Sequence, residues 1–156
     1  MFEGKKKILK CTQINFGNIN EVFSLLCPVR ETEWLEGWTF NMIYSKSGFI
    51  EKDCVFTTTN YGKFDTVWQV TQYDKNNHCI EFLRVTPESE LVKINISLKE
   101  KSHDTTQTEI EYQYTSLIEN RNKYYENDLE DEFAGMMNWW EKAINHFLKT
   151  GKMLKS

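Results

Sequence analysis

The chain has 156 residues, of which 40% are hydrophobic and 27% charged, a size and composition typical of one globular domain. We therefore predict a single domain spanning residues 1–156. The formal net charge of −4 argues against a nucleic-acid-binding protein, because such proteins normally carry a basic surface. Aromatic residues make up 14% of the chain, so the fold must place many rings either in a packed core or around a cavity.

The hydropathy pattern of the chain indicates where in the cell the protein is located. No apolar run reaches the ~18–20 residues of a membrane span, and the N-terminus lacks the apolar segment of a signal peptide. We therefore predict a cytoplasmic protein that does not insert into a membrane. The four cysteines are widely spaced and form no C-x-x-C pair, so we predict reduced thiols, no metal site and no cofactor.

The first part of the chain predicts one strand and two short helical segments. Residues 5–16 have the pattern of a strand, and residues 19–26 place apolar side chains at helical spacing. Pro28 ends this helix, because proline disfavours the helical conformation in the residue before it. Since proline also suits the first helical position, a second short turn is predicted through residues 31–35, ended by Gly37.

Six further strands are predicted in the middle of the chain. Apolar and polar side chains alternate most clearly at residues 91–99 and 108–117. Such alternation is typical of antiparallel sheets with one buried and one solvated face. The six strands are predicted at residues 38–44, 53–58, 64–73, 79–86, 91–99 and 108–117.

A long C-terminal helix is predicted at residues 122–150. Its apolar residues recur at steps of three and four, and Gly151 provides a stop signal. At ~1.5 Å per residue it would be roughly 42 Å long, enough to cross a sheet. Strands followed by a segregated helix predict an α+β fold: seven antiparallel strands, two short helices between strands 1 and 2, and one long covering helix.

This order of elements resembles the START and birch-pollen-allergen-like superfamily (SRPBCC), and the similarity covers nearly the whole chain. The local patterns that carry it are structural turns and core aromatic residues rather than catalytic signatures. They are Val22-Phe23, Glu33-Trp34, Gly37-Trp38, Val55-Phe56-Thr57, Trp68-Gln69-Val70-Thr71 with Asp74, residues 108–117, and Phe147-Leu148-Lys149-Thr150-Gly151-Lys152. The resemblance implies the helix-grip fold, in which a curved sheet wraps around the C-terminal helix and leaves a tunnel between them.

Strand alternation and this resemblance together predict which side chains line the tunnel. We expect a cavity on the order of several hundred Å³ rather than a filled core, because small-molecule sites are mostly apolar with a few polar groups. The predicted lining residues are Trp34, Trp38, Phe40, Met42, Tyr44, Phe56, Thr58, Trp68, Val70, Phe82, Arg84, Ile94, Ile96, Tyr112, Tyr114, Phe133, Met136, Met137 and Trp140.

Arg84 is the charged residue of most interest. It is in phase with Ile80 and Phe82, so a regular strand directs its guanidinium inward. An inward arginine must be paired or must bind an anionic group, and Glu33 is the candidate partner. The alternatives are a bulge that turns Arg84 outward, or a position at the rim with only its aliphatic stem buried.

The function predicted from these features is the binding of a small hydrophobic or amphipathic ligand, such as a lipid or polyketide, by a monomer or homodimer. Superfamily members differ widely in activity, so two alternatives stay open. One is a polyketide cyclase or dehydratase, and the other is an interaction protein resembling the activators of a chaperone ATPase. No G-x-S-x-G, P-loop or H-E-x-x-H motif occurs, and no nucleophile–base pair can be identified, so the sequence does not specify catalysis.

Overall fold

The computed structural model describes residues 1–156 and contains seven strands and four helices. In chain order they are β1 (Lys6–Asn15), α1 (Ile19–Ser24), α2 (Pro28–Trp34), β2 (Asn41–Tyr44), β3 (Val55–Thr58), β4 (Thr66–Asp74), β5 (Cys79–Thr86), β6 (Glu90–Ser102), β7 (Thr105–Ser116), α3 (Glu119–Asn127) and α4 (Leu129–Thr150). None of the helices is both long enough and apolar enough to cross a membrane.

All seven strands form one antiparallel sheet in the order β1-β7-β6-β5-β4-β3-β2. β1 and β2 lie at opposite edges of the sheet, and the connection between them contains α1 and α2. Register shifts in the β2–β3, β4–β5 and β6–β7 pairs mark bulges, which bend and twist the strands. Apolar residues of α4 pack into the core on one face of this sheet. The predicted α+β class and the seven-stranded antiparallel sheet are confirmed.

The predicted single helix at residues 122–150 is wrong at its N-terminal end. The structure has two helices there, α3 and α4, separated by Asp128, whose backbone at φ −127° and ψ −23° leaves helical geometry. Asn127 and Asp128 favour such a break, because short polar side chains compete for backbone hydrogen bonds. The break lets Tyr125 and Leu129 both enter the core, and it leaves α4 with 22 residues, about 33 Å in length.

The predicted strand at residues 38–44 is also shorter than expected, since β2 begins only at Asn41. Met42 pairs with the buried Phe56, but a register shift then places Tyr44 opposite Val55. Neighbouring strand residues point to opposite faces, so this shift turns Tyr44 outward and leaves it 60% exposed. The prediction that Tyr44 lines a cavity is therefore wrong.

Replacing Tyr44 with serine tests this orientation. We expect the free energy of unfolding, measured by urea titration, to change by less than ~0.5 kcal/mol, because an exposed side chain loses little on truncation. Met42→Ala is the matched comparison, since Met42 is half-buried against the core and should lose about 1–2 kcal/mol. Equal losses at the two positions would contradict the bulge.

A second, smaller core lies between α2 and α4. Trp34 is completely buried there, against Leu25, Ala143 and Ile144. Its ring packs edge-on against Trp140 at 5.4 Å between centroids, and its Nε1–H donates to the Leu25 carbonyl at 2.8 Å. Because α2 directs Trp34 toward α4 and not toward the concave sheet, the prediction that Trp34 lines the cavity is wrong.

Candidate functional site

The inner face of the sheet changes from apolar to polar along the strands. Cross-strand rows on this face run through β5, β6 and β7. They are Phe82–Ile94–Tyr112, then Arg84–Val92–Tyr114, then Thr86–Glu90–Ser116. The last row is polar yet buried, so this end of the core carries polar groups that must find partners.

The apolar part of this face encloses an inner chamber of about 30 Å³. It is lined by Pro28, Glu31, Trp38, Phe56, Trp68, Phe82, Ile94, Ile96, Tyr112 and Trp140. The rings pack closely on one another, with Phe56 stacked on Trp68 at 5.4 Å between centroids. This volume has room for about one water molecule. The rings fill most of the space in this part of the core, so the chamber alone is much smaller than the predicted cavity of several hundred Å³.

A larger outer pocket of about 250 Å³ lies at the polar end. Its apolar wall comes mainly from α4, and its polar wall from the strand ends, the β3–β4 loop and α3. The lining residues are Asn60, Thr66, Arg84, Thr86, Ser89, Glu90, Tyr114, Arg121, Leu129, Glu132, Phe133 and Met136. The site is therefore amphipathic, with charged groups facing a hydrophobic helix.

Arg84 lies between the two spaces. It lines the outer pocket, while its guanidinium carbon lies 5.4 Å from the Trp68 ring centroid and 5.9 Å from that of Tyr112, both in the chamber wall. The predicted pairing with Glu33 is wrong, because Glu33 accepts a 2.5 Å hydrogen bond from Arg30 on the surface of α2. The acid beside Arg84 is Glu90, with 3.6 Å between Nη2 and Oε2.

Glu90 is the centre of a buried charge cluster. Its Oε1 accepts hydrogen bonds from Arg121 Nη2 at 2.5 Å and from the Tyr125 hydroxyl at 3.1 Å. The Nε atoms of Arg84 and Arg121 are buried without a hydrogen-bond partner. Two arginines thus share one buried carboxylate, and Glu132 at the rim is exposed to solvent. The wall therefore carries two guanidinium groups and two carboxylates, of which only the Glu90 carboxylate is buried between the arginines.

Glu31 is the ionisable group of the inner chamber that stands out. It is only 6% exposed, and burial alone raises the pKa of its carboxyl to about 8, with no hydrogen bond or ion pair to oppose the shift. Burial also raises the pKa of Tyr112 to about 12; the Arg84 charge opposes this shift, and the Glu31 charge adds to it. At neutral pH both groups are protonated, so each carries a hydrogen that it can donate.

The structure brings twelve of the predicted residues to these two spaces. Trp38, Phe56, Trp68, Phe82, Ile94, Ile96, Tyr112 and Trp140 line the chamber, and Arg84, Tyr114, Phe133 and Met136 line the outer pocket. The others lie elsewhere. Phe40 and Met42 pack at the edge of the core, Val70 is fully buried in it, and Thr58 accepts a 2.9 Å hydrogen bond from Trp68 Nε1. Met137 lines a separate groove beside β1, since it lies on another side of α4.

Four charged residues of the site were not predicted: Glu31, Glu90, Arg121 and the rim residue Glu132. Glu31 is three residues from both Pro28 and Trp34, a spacing that places all three on one helix face. Glu90 comes two residues before Val92, in phase with the apolar side of β6. The sequence pattern therefore indicated a buried acid both at Glu31 and at Glu90. Arg121 had no comparable signal, because its contact with Glu90 depends on how α3 docks.

Comparison with protein-family models and with the sequences of curated proteins gives no match. Solved structures do match. Norcoclaurine synthase from Thalictrum flavum, in complex with dopamine and hydroxybenzaldehyde, gives a TM-score of 0.68 at 10% identity, over 96% of this chain and 90% of that chain. The Zhui aromatase/cyclase from Streptomyces sp. R1128 gives 0.69 at 8% identity over 96% and 100%. Ara h 8.0201 gives 0.62 at 10% identity over 94% and 99%.

This chain has the helix-grip fold. At identities of 8–10%, what it shares with these proteins is the arrangement of strands and helices, so the predicted START and birch-pollen-allergen-like resemblance is confirmed as a fold. Within the helix-grip frame, the outer pocket lies between the first half of α4 and the ends of β5 and β6. The inner chamber lies deeper, between the sheet and α2.

Proposed function

We propose that this protein binds a small amphipathic molecule in the outer pocket. Arg84 and Arg121 would hold an acidic group of the ligand, and the apolar residues of α4 would hold its hydrophobic part. The observation that carries this proposal is that two half-buried arginines share the single buried carboxylate of Glu90, while the Nε atom of each arginine is buried without a hydrogen-bond partner. A buried hydrogen-bond donor without a partner is costly, and an anionic ligand group would supply an acceptor for these arginines.

The shape and composition of the pocket support a ligand of modest size. Its volume of about 250 Å³ lies just below the ~300–1,000 Å³ typical of sites for drug-sized molecules. Leu129, Phe133 and Met136 form an apolar wall opposite the charged groups. Burial of apolar ligand surface there would contribute affinity at ~25 cal/mol per Å², while the arginines would set the orientation.

A pair of fluorescent probes tests this proposal. 1-Anilinonaphthalene-8-sulfonate (ANS) carries an anionic sulfonate, and N-phenyl-1-naphthylamine has the same ring system without it. We expect Arg84→Met to weaken ANS binding about tenfold, because a hydrogen bond to a charged group is worth about 1.5–3 kcal/mol. Binding of the neutral probe should stay within about twofold. Fluorescence titration measures both affinities.

The control variant is Arg30→Met, which removes an arginine whose ion pair lies on the surface of α2. It should leave both affinities unchanged. Arg84→Met should still fold, because Glu90 keeps its bonds to Arg121 and Tyr125. If Arg84→Met leaves ANS binding unchanged, or weakens both probes equally, the anion-binding role is wrong.

A catalytic role is the second candidate function. The observation that favours it is Glu31, a buried carboxyl whose pKa of about 8 lies in the range that acid–base catalysis uses. The two enzymes with this fold named above act through a synthase and an aromatase/cyclase activity, as their names state. For this chain, a catalytic role requires a reacting group that reaches the inner chamber.

A further inference from the structure

The inner chamber contains two polar groups that have no partner within the protein. Glu31 on α2 is 6% exposed and Tyr112 on β7 is 4% exposed. Neither the carboxyl nor the hydroxyl makes a hydrogen bond to another residue, while eight of the ten lining residues are hydrophobic. A buried polar group without a partner costs about 1–3 kcal/mol. Two such groups in one apolar chamber indicate a space built for something that bonds to both.

The chemistry of the two groups restricts the partner to a hydrogen-bond acceptor. A neutral carboxyl and a phenol each present one O–H donor. Apart from these two, the chamber is lined by no titratable side chain: α2 contributes Pro28, α4 contributes Trp140, and Arg84 approaches the Tyr112 ring from the outer pocket. A space of about 30 Å³ holds about one water molecule or one carbonyl group. A single oxygen atom placed in this space therefore lies within the reach of both donors.

We propose that the inner chamber binds a ketone or aldehyde oxygen of the ligand, which accepts hydrogen bonds from the Glu31 carboxyl and the Tyr112 hydroxyl. This inference rests on the proposed function, since the same ligand places its acidic group beside Arg84. The Arg84 guanidinium contacts the Tyr112 ring, with 5.9 Å between the guanidinium carbon and the ring centroid, so the acid site and the oxygen site adjoin. Aromatic rings line most of the chamber, so the ligand class is an aromatic acid that bears a carbonyl group.

Such a pair of donors has a consequence for reactivity. Donors fixed in a dry, apolar space stabilise negative charge that develops on a carbonyl oxygen more strongly than water does. A carboxylic acid kept neutral by burial is suited to this role, because it donates a hydrogen bond without adding negative charge. The chamber thus favours reactions that pass through an enolate or a comparable oxyanion.

Two benzoates of matched shape test the oxygen site. 4-Acetylbenzoate carries a carboxylate for Arg84 and a ketone, and 4-isopropenylbenzoate replaces the ketone oxygen with a CH₂ group. We expect the wild-type protein to bind the ketone about tenfold more tightly by isothermal titration calorimetry. Glu31→Leu should abolish this preference and Tyr112→Phe should reduce it, whereas Glu33→Leu, on the exposed side of α2, should retain it.

Infrared spectroscopy identifies the oxygen that the donors bind. With ¹³C in the ketone of 4-acetylbenzoate, its stretching band should move to lower frequency on binding and move back in Glu31→Leu and Tyr112→Phe. Water is the other source of an acceptor oxygen, and only the labelled ketone band reports the ligand. A second readout needs no ligand: the difference spectrum between wild type and Glu31→Gln at pH 7 should contain a neutral carboxyl band.

The outcomes separate this site from the outer pocket. Equal affinities for the two benzoates with an unshifted ketone band would overturn the oxygen site, even if Arg84→Met weakens both compounds and ANS as expected. A carboxylate band for Glu31 in the ligand-free protein would overturn it as well. A ketone preference that persists in Arg84→Met, with no loss of affinity for either benzoate or for ANS, would instead overturn the proposed role of Arg84.

Discussion

Replacing Glu90 with alanine will lower the free energy of unfolding by about 3–5 kcal/mol. The carboxylate is the only buried acid between Arg84 and Arg121, and its side chain is 10% exposed. Without it, two half-buried arginines in the pocket wall lose the carboxylate between them, and removal of one partner from a buried ion pair typically has this effect. The Tyr125 hydroxyl loses its acceptor at the same time. Urea titration measures the change.

Two further variants make this prediction specific. Glu109→Ala removes a strand acid whose ion pair with Lys99, at 3.7 Å, lies on the solvated side of the sheet, and it should change stability by less than ~1 kcal/mol. Adding Arg84→Met to Glu90→Ala should restore part of the loss, because it removes one unpaired charge. A loss below ~1 kcal/mol for Glu90→Ala would show that solvent, and not Glu90, balances the arginines.

The stability of the wild-type protein will fall as the pH rises from about 4.5 to about 8. The Glu31 carboxyl has an ordinary pKa of 4.5 and a pKa of about 8 in the folded state. Between these values the folded protein binds the proton that the unfolded chain has released, so its contribution to stability is complete below pH 4.5 and lost by pH 8. The slope from this group approaches ~1.4 kcal/mol per pH unit.

Glu31→Gln should remove this slope, since a glutamine has no proton to lose. Relative to wild type, the variant should gain stability on the order of 4 kcal/mol between pH 5 and pH 9. The measurement is a set of urea titrations of both proteins at several pH values. Glu33→Gln, an exposed acid on the same helix, is the control and should parallel the wild type. A parallel pH profile for Glu31→Gln would mean that Glu31 ionises freely in the folded protein.

The regular strands of this fold were predictable because one of their faces is buried and the other solvated. Buried and more exposed residues alternate along the whole of β7 and from Glu90 to Leu98 in β6, as the sequence pattern predicts. The pattern fails where the backbone leaves regular geometry. The bulge in β2 reverses the face of Tyr44, and the break at Asp128 divides the predicted helix. Bulges and breaks depend on tertiary packing, which a single sequence expresses only weakly.

The aromatic rings of the candidate site were predicted from the sequence, whereas Arg84 was the one charged residue of the site that was predicted. Strand phase alone placed Phe56, Trp68 and Tyr112 on the same inner face. Whether those rings leave a cavity depends on how they stack, so the volume of the chamber could not be predicted from composition. The partner of Arg84 depends on which acid lies nearest in space, and Glu90 lies across the β5–β6 hairpin from it. The pairing of charged side chains across the fold therefore could not be predicted from the sequence.

The proposed ligand lies between α4 and the polar ends of the strands. NMR of protein labelled with ¹³C at its methionine methyl groups and titrated with ANS shows whether a ligand binds there. Met136 lines the outer pocket, whereas Met137, the next residue, lines a groove beside β1. We expect the Met136 methyl signal to shift on titration in wild type and to require more ANS in Arg84→Met, while Met137 and Met153 stay unchanged. Shifts at Met137 or Met153 with the Met136 signal unchanged would place the ligand elsewhere and contradict binding in the outer pocket.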